Sequence, residues 1–257
     1  MSLVEEREII RVINNQPERL MDKVIKEVPY TLKINGNKIV NLVCTPEFIE
    51  DLAVGYLYSQ GLFNTVEQIN DIKISNDNSI NVSIDGFVEK KLNQTIMTSG
   101  ERSFETEDNS YEVLKCDVSL EKLMPDQIYK LCDKLFEVST LHAETGGVHN
   151  AALSSFEDNF YEFRKDIGRH NAVDKLIGYC LINDISLNNK ILVFSGRISS
   201  EIIKKIAKAR IPMIISVSAP TDLAIEIAKK LRITLIGFVR GRKMNIYEDC
   251  GRVDVKL

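Results

Sequence analysis

Tryptophan is absent from this sequence of 257 residues, histidine occurs only three times, and no two cysteines are close together. The five cysteines are at positions 44, 116, 132, 180 and 250. An odd number of scattered cysteines excludes a disulfide framework and a Cys-x-x-Cys metal site. We therefore expect no bound metal ion, and we expect each cysteine to behave as a small buried apolar residue.

Long apolar runs and an excess of positive charge are also missing. No apolar run approaches the ~18 residues of a membrane span, and the first residues, MSLVEEREIIRV, lack the apolar core of a signal peptide. The net charge of −4 gives no general attraction to nucleic acid or to an anionic membrane. We expect a cytoplasmic protein without nucleic-acid or membrane partners, in which any anionic ligand meets a local group of positive charges.

Residues 1–110 predict a small α+β domain with antiparallel strands. YTLKINGNKIVNLVCTP has two apolar, partly alternating runs around Asn35-Gly36, which is typical of a β-hairpin. EFIEDLAVGYLYSQGLF has the apolar spacing of a helix, with Gly61 at its C-terminal end. The short runs DIKIS, SINVSID and VEKKLN then predict strands, and the polar segment 98–110 predicts an exposed, mobile loop.

Residues 111–257 predict an α/β domain. PDQIYKLCDKLFEVSTLH, residues 125–142, predicts an amphipathic helix whose apolar face carries Leu131, Leu135 and Phe136. Three apolar runs follow, and they predict buried strands over residues 191–194, 213–217 and 233–238. Because EIIKKIAKAR and DLAIEIAKKL predict helices between these runs, we expect three mutually parallel strands with helices packed around the sheet.

The carboxyl ends of these strands predict a ligand site, because ligands of parallel sheets bind at that edge. Two loops there begin helices and offer unpaired N–H groups, and basic side chains add positive charge, so a phosphate-bearing ligand fits. The residues that we expect at this edge are Ser195, Gly196, Arg197, Ser218, Thr221, Val239, Arg240, Gly241, Arg242 and Lys243.

Each of these loops also has a plainer interpretation. Ser199 or Ser200 would serve as the N-cap of a helix, Pro220 as a first-turn proline, and the RGRK run as a solvated turn. The phosphate site is favoured over these interpretations because the topology brings all three loops to one edge.

A further helix begins within DIGRHNAVDKL, residues 166–176, and carries Arg169, His170 and Asn171 in its first turn. A helix N-terminus favours neutral histidine, so His170 could donate or accept a hydrogen bond. A lone histidine would more often be structural, but its polar neighbours favour a place for Arg169 and His170 in the ligand site. ETGGVHNAAL, with a glycine pair beside His149, comes shortly before.

Several long segments together resemble the formate dehydrogenase accessory sulfurtransferases, the FdhD family. They are EVPYTLKINGN, CTPEFIEDLAVGYLYSQGLF, TGGVHNAAL, RKDIGRHNAVDKLIG, ILVFSGRISSEI, SAPTDLAIEIA and GFVRGRKMNIY. The resemblance covers approximately residues 25–253, and the segments occur in the family's order.

The resemblance implies a fold and a function. The C-terminal domain would have a cytidine deaminase-like fold, and Phe238 to Lys243 would match the family's cofactor-binding segment. The substrate would be the molybdenum or tungsten bis-guanine-dinucleotide cofactor, which guanine nucleotides would mimic. A cysteine desulfurase would supply the sulfur, a formate dehydrogenase apoenzyme would receive the cofactor, and the protein would be a homodimer.

One departure from the family puts the sulfur chemistry in question. The family carries sulfur on a cysteine in a loop that matches IMTSGERSFE, where this chain has Ser99 and Gly100 instead. Serine cannot form a persulfide, and the nearest thiol belongs to Cys116, which is either a relocated sulfur carrier or a structural residue. Two hypotheses therefore stay open: a sulfurtransferase with a displaced thiol, and a non-catalytic protein that binds and delivers the cofactor.

A zinc-dependent deaminase, which the implied fold alone would allow, is rejected. Such enzymes need a Pro-Cys-x-x-Cys pair and a nearby Glu beside a zinc ligand, and the sequence has no Pro-Cys-x-x-Cys.

Overall fold

A computed structural model describes residues 2–87, 95–98, 101–104, 121–157 and 160–255, with the two short stretches 95–98 and 101–104 described as backbone. Three features predicted from the sequence lie outside these residues: the strand in VEKKLN, the Ser99-Gly100 position and Cys116. The predicted domain boundary after residue 110 lies outside them as well.

The N-terminal part is built from strands and one α-helix. In chain order its elements are β1 (Val4–Ile13), β2 (Gln16–Ile25), β3 (Val28–Ile34), β4 (Asn37–Cys44), α1 (Ile49–Ser59), a 3₁₀ turn (Val66–Gln68), β5 (Ile69–Ile74), β6 (Ser79–Ile84), β7 (Thr95–Thr98) and β8 (Glu101–Phe104).

The predicted hairpin is confirmed as β3 and β4. Asn35 and Gly36 connect them with positive φ angles of 49° and 86°, as their residue types favour. A four-stranded sheet has the order β4-β3-β6-β5, and α1 packs its apolar side chains against it. One detail was wrong: β3 and β6 are parallel, because the chain crosses over through α1 between them.

Two antiparallel pairs were not predicted. β1 and β2 form a long ribbon that turns at Asn14 and Asn15, both with positive φ. β7 and β8 form the second pair, from Thr95 opposite Phe104 to Thr98 opposite Glu101. The prediction of a loop over residues 98–110 was therefore wrong for Thr98 and for Glu101–Phe104, which lie in strands.

The C-terminal part is a six-stranded sheet covered by helices. Its elements are α2 (Pro125–Glu137), α3 (Thr140–Thr145), β9 (His149–Ser154), β10 (Phe160–Asp166), α4 (Arg169–Ile182), β11 (Ile191–Phe194), α5 (Ser200–Lys208), β12 (Met213–Ser216), α6 (Asp222–Leu231), β13 (Thr234–Arg240) and β14 (Lys243–Glu248).

The sheet order is β10-β9-β11-β12-β13-β14. The prediction that the three central strands are mutually parallel is confirmed, since β11 pairs parallel with β12 and β12 with β13. The strands that flank these three, β9 and β14, pair antiparallel with β11 and β13, and the edge strand β10 pairs antiparallel with β9. Helices cover both faces, because α2 packs on one apolar cluster and α4, α5 and α6 pack on the other.

The predicted helix over residues 125–142 is interrupted. α2 ends at Glu137, and Ser139 is the N-cap of the short helix α3. Leu131 and Leu135 are buried as expected, but Phe136 is 41% exposed, so its assignment to the apolar core face was wrong. Phe136 is the last residue but one of α2, and its ring lies partly at the surface.

Two glycines allow α1 and α4 to cross in backbone contact. A Cβ atom on Gly55 would lie 1.8 Å from the carbonyl oxygen of Asp174, and one on Gly178 would lie 1.9 Å from that of Asp51. No side chain fits into such a gap, so each glycine is required by the close approach rather than by a turn. This crossing joins the N-terminal part to the C-terminal part.

Within the described ranges, no helix combines the length and the apolar character needed to cross a membrane.

We predict that Gly178→Ala will lower the free energy of unfolding by about 3 kcal/mol or more, because both atoms in the clash belong to backbone and the helices must separate. Gly36→Ala is the matched control: no atom lies within 4 Å of its added methyl group, and only its positive φ is strained. That control should lose only about 1 kcal/mol. Urea unfolding of both variants measures the difference, and equal losses would contradict the close-contact explanation.

Candidate functional site

A cavity of about 350 Å³ opens at the carboxyl ends of β11, β12 and β13. The N-terminal end of β9 reaches the same edge, because β9 runs antiparallel to β11. The lining residues are Phe136, His142, Gly146, Gly147, Val148, His149, Ile167, Ser195, Val217 and Arg240. The ligand site predicted at this edge of the sheet thus coincides with a cavity.

Ser195 and Arg240 are the two predicted site residues that line the cavity directly. Backbone pairing with β9 fixes Ser195: its N–H donates to the carbonyl of Asn150 at 3.0 Å, and its Oγ accepts from the Asn150 N–H at 2.8 Å. Arg240 is exposed at the end of β13. The wall at Ser195 is therefore held rigidly and presents a hydroxyl group, and the wall at Arg240 carries a guanidinium group.

His149 lies where the positive charges converge. Burial lowers the pKa of His149, and the nearby Arg169, His142 and Arg197 lower it further, whereas Asp166 opposes them. The imidazole is therefore neutral near pH 7, and two arginines predicted from the sequence, Arg169 and Arg197, act on it. Together with Arg240, they give this edge the local positive charge that an anionic ligand needs.

His142 presents a defined face to the cavity. Its Nδ1 lies 2.9 Å from the carbonyl oxygen of Val148. Because a carbonyl only accepts hydrogen bonds, Nδ1 carries the proton, and in the neutral ring Nε2 is the acceptor. The Phe136 ring lies 5.8 Å from the His142 ring, centroid to centroid, at an interplanar angle of 55°. This aromatic pair forms a wall that could hold a planar group.

The second predicted loop packs beside the cavity rather than lining it. The Thr221 hydroxyl accepts a hydrogen bond from the Ala224 N–H at 3.3 Å and so caps α6. The carbonyl of Ser218 accepts from the Phe238 N–H at 3.1 Å, and that of Gly196 accepts from the Ser216 hydroxyl at 2.8 Å. These bonds tie the loop after β11 to the end of β12, and the loop after β12 to β13.

His170 is buried on the α5 side of the site. Its Nε2 lies 3.4 Å from the Oγ of Ser199, the N-cap residue of α5. Arg169 and His170 are adjacent in sequence but have different neighbours. Arg169 lowers the pKa of His149, and His170 contacts Ser199 at the start of α5.

The third predicted loop is a β-hairpin. The strand expected to end at Phe238 continues to Arg240, and β14 begins at Lys243, so the expected loop over residues 239–243 was too long. Gly241 and Arg242 form the turn, with positive φ angles of 55° and 62°.

The side chains of this hairpin point to different surroundings. Val239 is buried, whereas Phe238 is 48% exposed. Arg242 is ion-paired with Asp126 at 2.7 Å, and both side chains are largely exposed. Arg240 lies between the main cavity and a second one of about 140 Å³, which Arg242 also lines.

Sequence reasoning missed the wall made by Phe136, His142 and Val148. The glycine pair in ETGGVHNAAL was the available signal. A Cβ atom on Gly147 would lie 2.7 Å from the Cγ2 of Ile25, so this loop passes close to the base of the β1–β2 ribbon.

The described cysteines are poor candidates for a reactive thiol. Burial raises the pKa of Cys44, Cys132 and Cys180 to about 12. Burial also raises the pKa of Cys250. Because the thiolate is the reactive form, none of these four is activated for sulfur chemistry.

Across the described residues, no group of three or more His, Cys, Asp and Glu side chains could hold a metal ion.

Comparison with known proteins identifies the family to which the chain is similar. Residues 25–254 match the model of the FdhD/NarQ family. "Sulfur carrier protein FdhD" of Shouchella clausii is 38% identical, over 97% of each chain. The protein of the same name from Bacillus subtilis is 39% identical, over 96% of each chain.

A solved structure supports the fold. The crystal structure of a candidate formate dehydrogenase accessory protein from Desulfotalea psychrophila has a TM-score of 0.80 and 23% identity, and the match covers 98% of this chain and all of that one. With the match to the family model and relatives of 38–39% identity over nearly the whole length, the chain belongs to the FdhD/NarQ family.

Proposed function

We propose that this protein is a formate dehydrogenase accessory protein that binds the molybdenum or tungsten bis-guanine-dinucleotide cofactor as its substrate at the cavity beside β11–β13. The observation that carries the proposal is the meeting of Arg240, Arg169 and Arg197 at this edge of the sheet. The names of its relatives, sulfur carrier proteins, support the accessory role.

The chemistry of the cavity fits a guanine dinucleotide. Arginine binds phosphate with two parallel hydrogen bonds. The hydroxyl of Ser195 can donate to a phosphate oxygen, and the Phe136–His142 wall offers a flat surface to a base. Arg240 could serve ligand groups on both of its sides, because it lines two cavities.

Two sulfur hypotheses follow from this binding role. In the first, the protein takes sulfur from a cysteine desulfurase and passes it to the cofactor. In the second, it binds and delivers the cofactor to the formate dehydrogenase apoenzyme without carrying sulfur. The buried cysteines with raised pKa values, and the serine at position 99, favour the second hypothesis.

The remaining proposals come from the family resemblance. We propose that the protein acts in the cytoplasm as a homodimer, and that its C-terminal part is cytidine deaminase-like. The single antiparallel strand β9 within the parallel set β10, β11, β12 and β13 supports that assignment of the fold.

We predict that Arg240→Ala will weaken the binding of guanosine diphosphate about tenfold to hundredfold. The change removes a charge-assisted hydrogen bond to phosphate, worth roughly 1.5–3 kcal/mol. Isothermal titration calorimetry of the full chain measures the affinity.

Arg210→Ala is the matched control. Arg210 is an exposed arginine beyond the C-terminal end of α5, at the opposite edge of the sheet, and its removal changes the net charge equally. Unchanged affinity in Arg240→Ala, or equal weakening in both variants, would show that the site is elsewhere.

We also predict that the wild-type chain will take up little or no stable persulfide sulfur from a cysteine desulfurase and cysteine. The physical reason is the absence of a thiolate among the described cysteines. Intact-mass spectrometry would detect the added sulfur atom. A persulfide on Cys116 that disappears in Cys116→Ala would contradict the prediction and restore the sulfurtransferase hypothesis.

The complementary variant is Ser99→Cys. It returns a thiol to the position at which the family carries sulfur, and we expect it to acquire persulfide under the same conditions. Ser103→Cys is a control with a nearby thiol at a different position.

A further inference from the structure

Thr45 fastens the N-terminal part to the segment that enters the ligand site. It follows β4 and is fully buried. Its N–H donates to Oδ2 of Asp166 at 3.0 Å, its Oγ1 accepts from the N–H of Ile167 at 3.1 Å, and its carbonyl accepts from Nζ of Lys175 at 3.0 Å. The backbone amide, the hydroxyl and the carbonyl of Thr45 thus bind three different groups of the 166–175 segment: the Asp166 carboxylate, the Ile167 N–H and the Lys175 ammonium.

Asp166 gathers the other contacts of this segment. Its Oδ1 accepts from the N–H of Gly168 at 2.8 Å and from Nδ2 of Asn171 at 2.9 Å. Its Oδ2 lies 2.7 Å from Nζ of Lys175, and both side chains are fully buried. Asn171 also donates to the carbonyl of Val43 at 2.9 Å, which is a second link to β4. The buried carboxylate is well satisfied, so the turn at residues 166–168 has little freedom.

The same turn forms part of the cavity. Ile167 lines it, and Arg169 acts on His149 from the first turn of α4. Asp166 is the cross-strand partner of His149 in the β9–β10 pair. Gly196 brings the loop after β11 against Arg169, because a Cβ atom there would lie 3.1 Å from the Arg169 Cβ. A displacement of residues 166–168 would therefore move the Arg169 charge relative to His149.

A second buried ion pair provides the comparison. Lys205 lies 2.6 Å from Oδ2 of Asp174, and the Ser59 hydroxyl donates to Oδ1 of Asp174 at 2.7 Å. Through the Ser59 hydrogen bond this pair is also linked to α1, but none of the three residues lines the cavity. A variant that disturbs this pair should therefore weaken the contact between the two parts of the chain without changing the geometry of the ligand site.

We propose that Thr45 is a positioning residue for the anion site: through Asp166 and the Ile167 amide, it sets where Arg169 lies relative to His149, so the N-terminal part determines the affinity of the cavity for phosphate. This inference rests on the proposed nucleotide binding. It predicts that removing the hydrogen bond from the Ile167 N–H to the Thr45 hydroxyl changes binding, although no residue that lines the cavity is substituted.

The test compares Thr45→Val with Thr45→Ser in the full chain. Valine has a similar shape but no acceptor for the Ile167 N–H, whereas serine keeps the hydroxyl. Thr45→Val should weaken guanosine diphosphate binding roughly threefold to tenfold. The loss is this small because the contact between Arg169 and the phosphate is lengthened rather than removed. Thr45→Ser should restore most of the wild-type affinity.

Ser59→Ala is the matched control for stability. It removes one buried hydrogen bond from the other ion pair and should lower the unfolding temperature without changing nucleotide affinity. Wild-type affinity in Thr45→Val, or an equal loss of affinity in Ser59→Ala, would overturn the positioning role.

A second measurement needs no nucleotide. The chain has only three histidines, so the His149 ring can be followed by NMR as the pH is changed. In Thr45→Val its midpoint should rise toward the usual value, because Arg169 is farther away; in Ser59→Ala it should not move. An unchanged midpoint in Thr45→Val would overturn the proposal.

The binding measurement and the His149 titration distinguish a failure of the proposed function from a failure of the positioning role of Thr45. If the wild-type chain binds no guanosine diphosphate, the proposed function fails, and the His149 titration alone decides the role of Thr45. If Thr45→Val does not fold, Asn171→Ala, which cuts the links to Asp166 and Val43, carries the same two expectations.

Discussion

The contact of α1 with α4 through Gly55 and Gly178 is the constraint on which the rest of the structure depends. At this distance backbone faces backbone, and the residues around the crossing must satisfy their polar groups within the protein. They do so with ion pairs: Arg164 with Asp51 at 2.8 Å, and Lys205 with Asp174 at 2.6 Å. The Arg164 guanidinium also lies between the rings of Phe48 and Tyr179.

Such pairs contribute less to net stability than to the uniqueness of the arrangement. Burial raises the pKa of Asp174, and Lys205 opposes the shift. Moving two charges out of water into the protein interior is costly, even when they are paired. Removing one partner would leave an uncompensated buried charge, so a sliding or rotated arrangement of α1 on α4 is strongly disfavoured. The crossing therefore has one register, and the loop before α1 meets the 166–171 segment in a fixed way.

This register explains the composition of DIGRHNAVDKL. Asp166, Asn171 and Lys175 bind the N-terminal part. Asp174 binds α5 and α1, and Arg169 lowers the pKa of His149, which lines the cavity. Most of the polar residues at this helix start are thus structural, and of the two that the sequence analysis assigned to the ligand site, His170 contacts Ser199 of the next helix start. Helix starts usually carry polar residues for capping, and here the same side chains also bridge two parts of the chain.

The local and repetitive features of the fold were predictable. The Asn35-Gly36 hairpin, the three parallel strands and the helices between them each have a signal within a few residues. The parallel pairing of β3 with β6 and the crossing of α1 on α4 have no such signal, because they depend on contacts between distant segments. A glycine within a helical pattern, such as Gly55 or Gly178, indicates a close approach but does not name the partner.

The candidate site was predictable to a similar degree. The edge of the sheet followed from topology, which brought Ser195 and Arg240 to the cavity. Phe136 and His142 were missed, because amphipathic spacing assigned Phe136 to the core and the break between α2 and α3 has no strong sequence signal. Whether a side chain near a helix end faces the core or a ligand depends on where that helix stops.

The sulfur question reduces to where a thiolate could exist in this fold. A helix N-terminus or an adjacent cation would lower a thiol pKa, and the cations near the cavity, Arg169, Arg197 and Arg240, provide that setting. Cys44, Cys132 and Cys180 are instead buried. At Cys250, burial raises the pKa of the thiol although Arg252 lowers it. The cationic side chains at the cavity and these four thiols therefore lie in different places, so the proposed binding of an anionic ligand does not depend on any of the four cysteines.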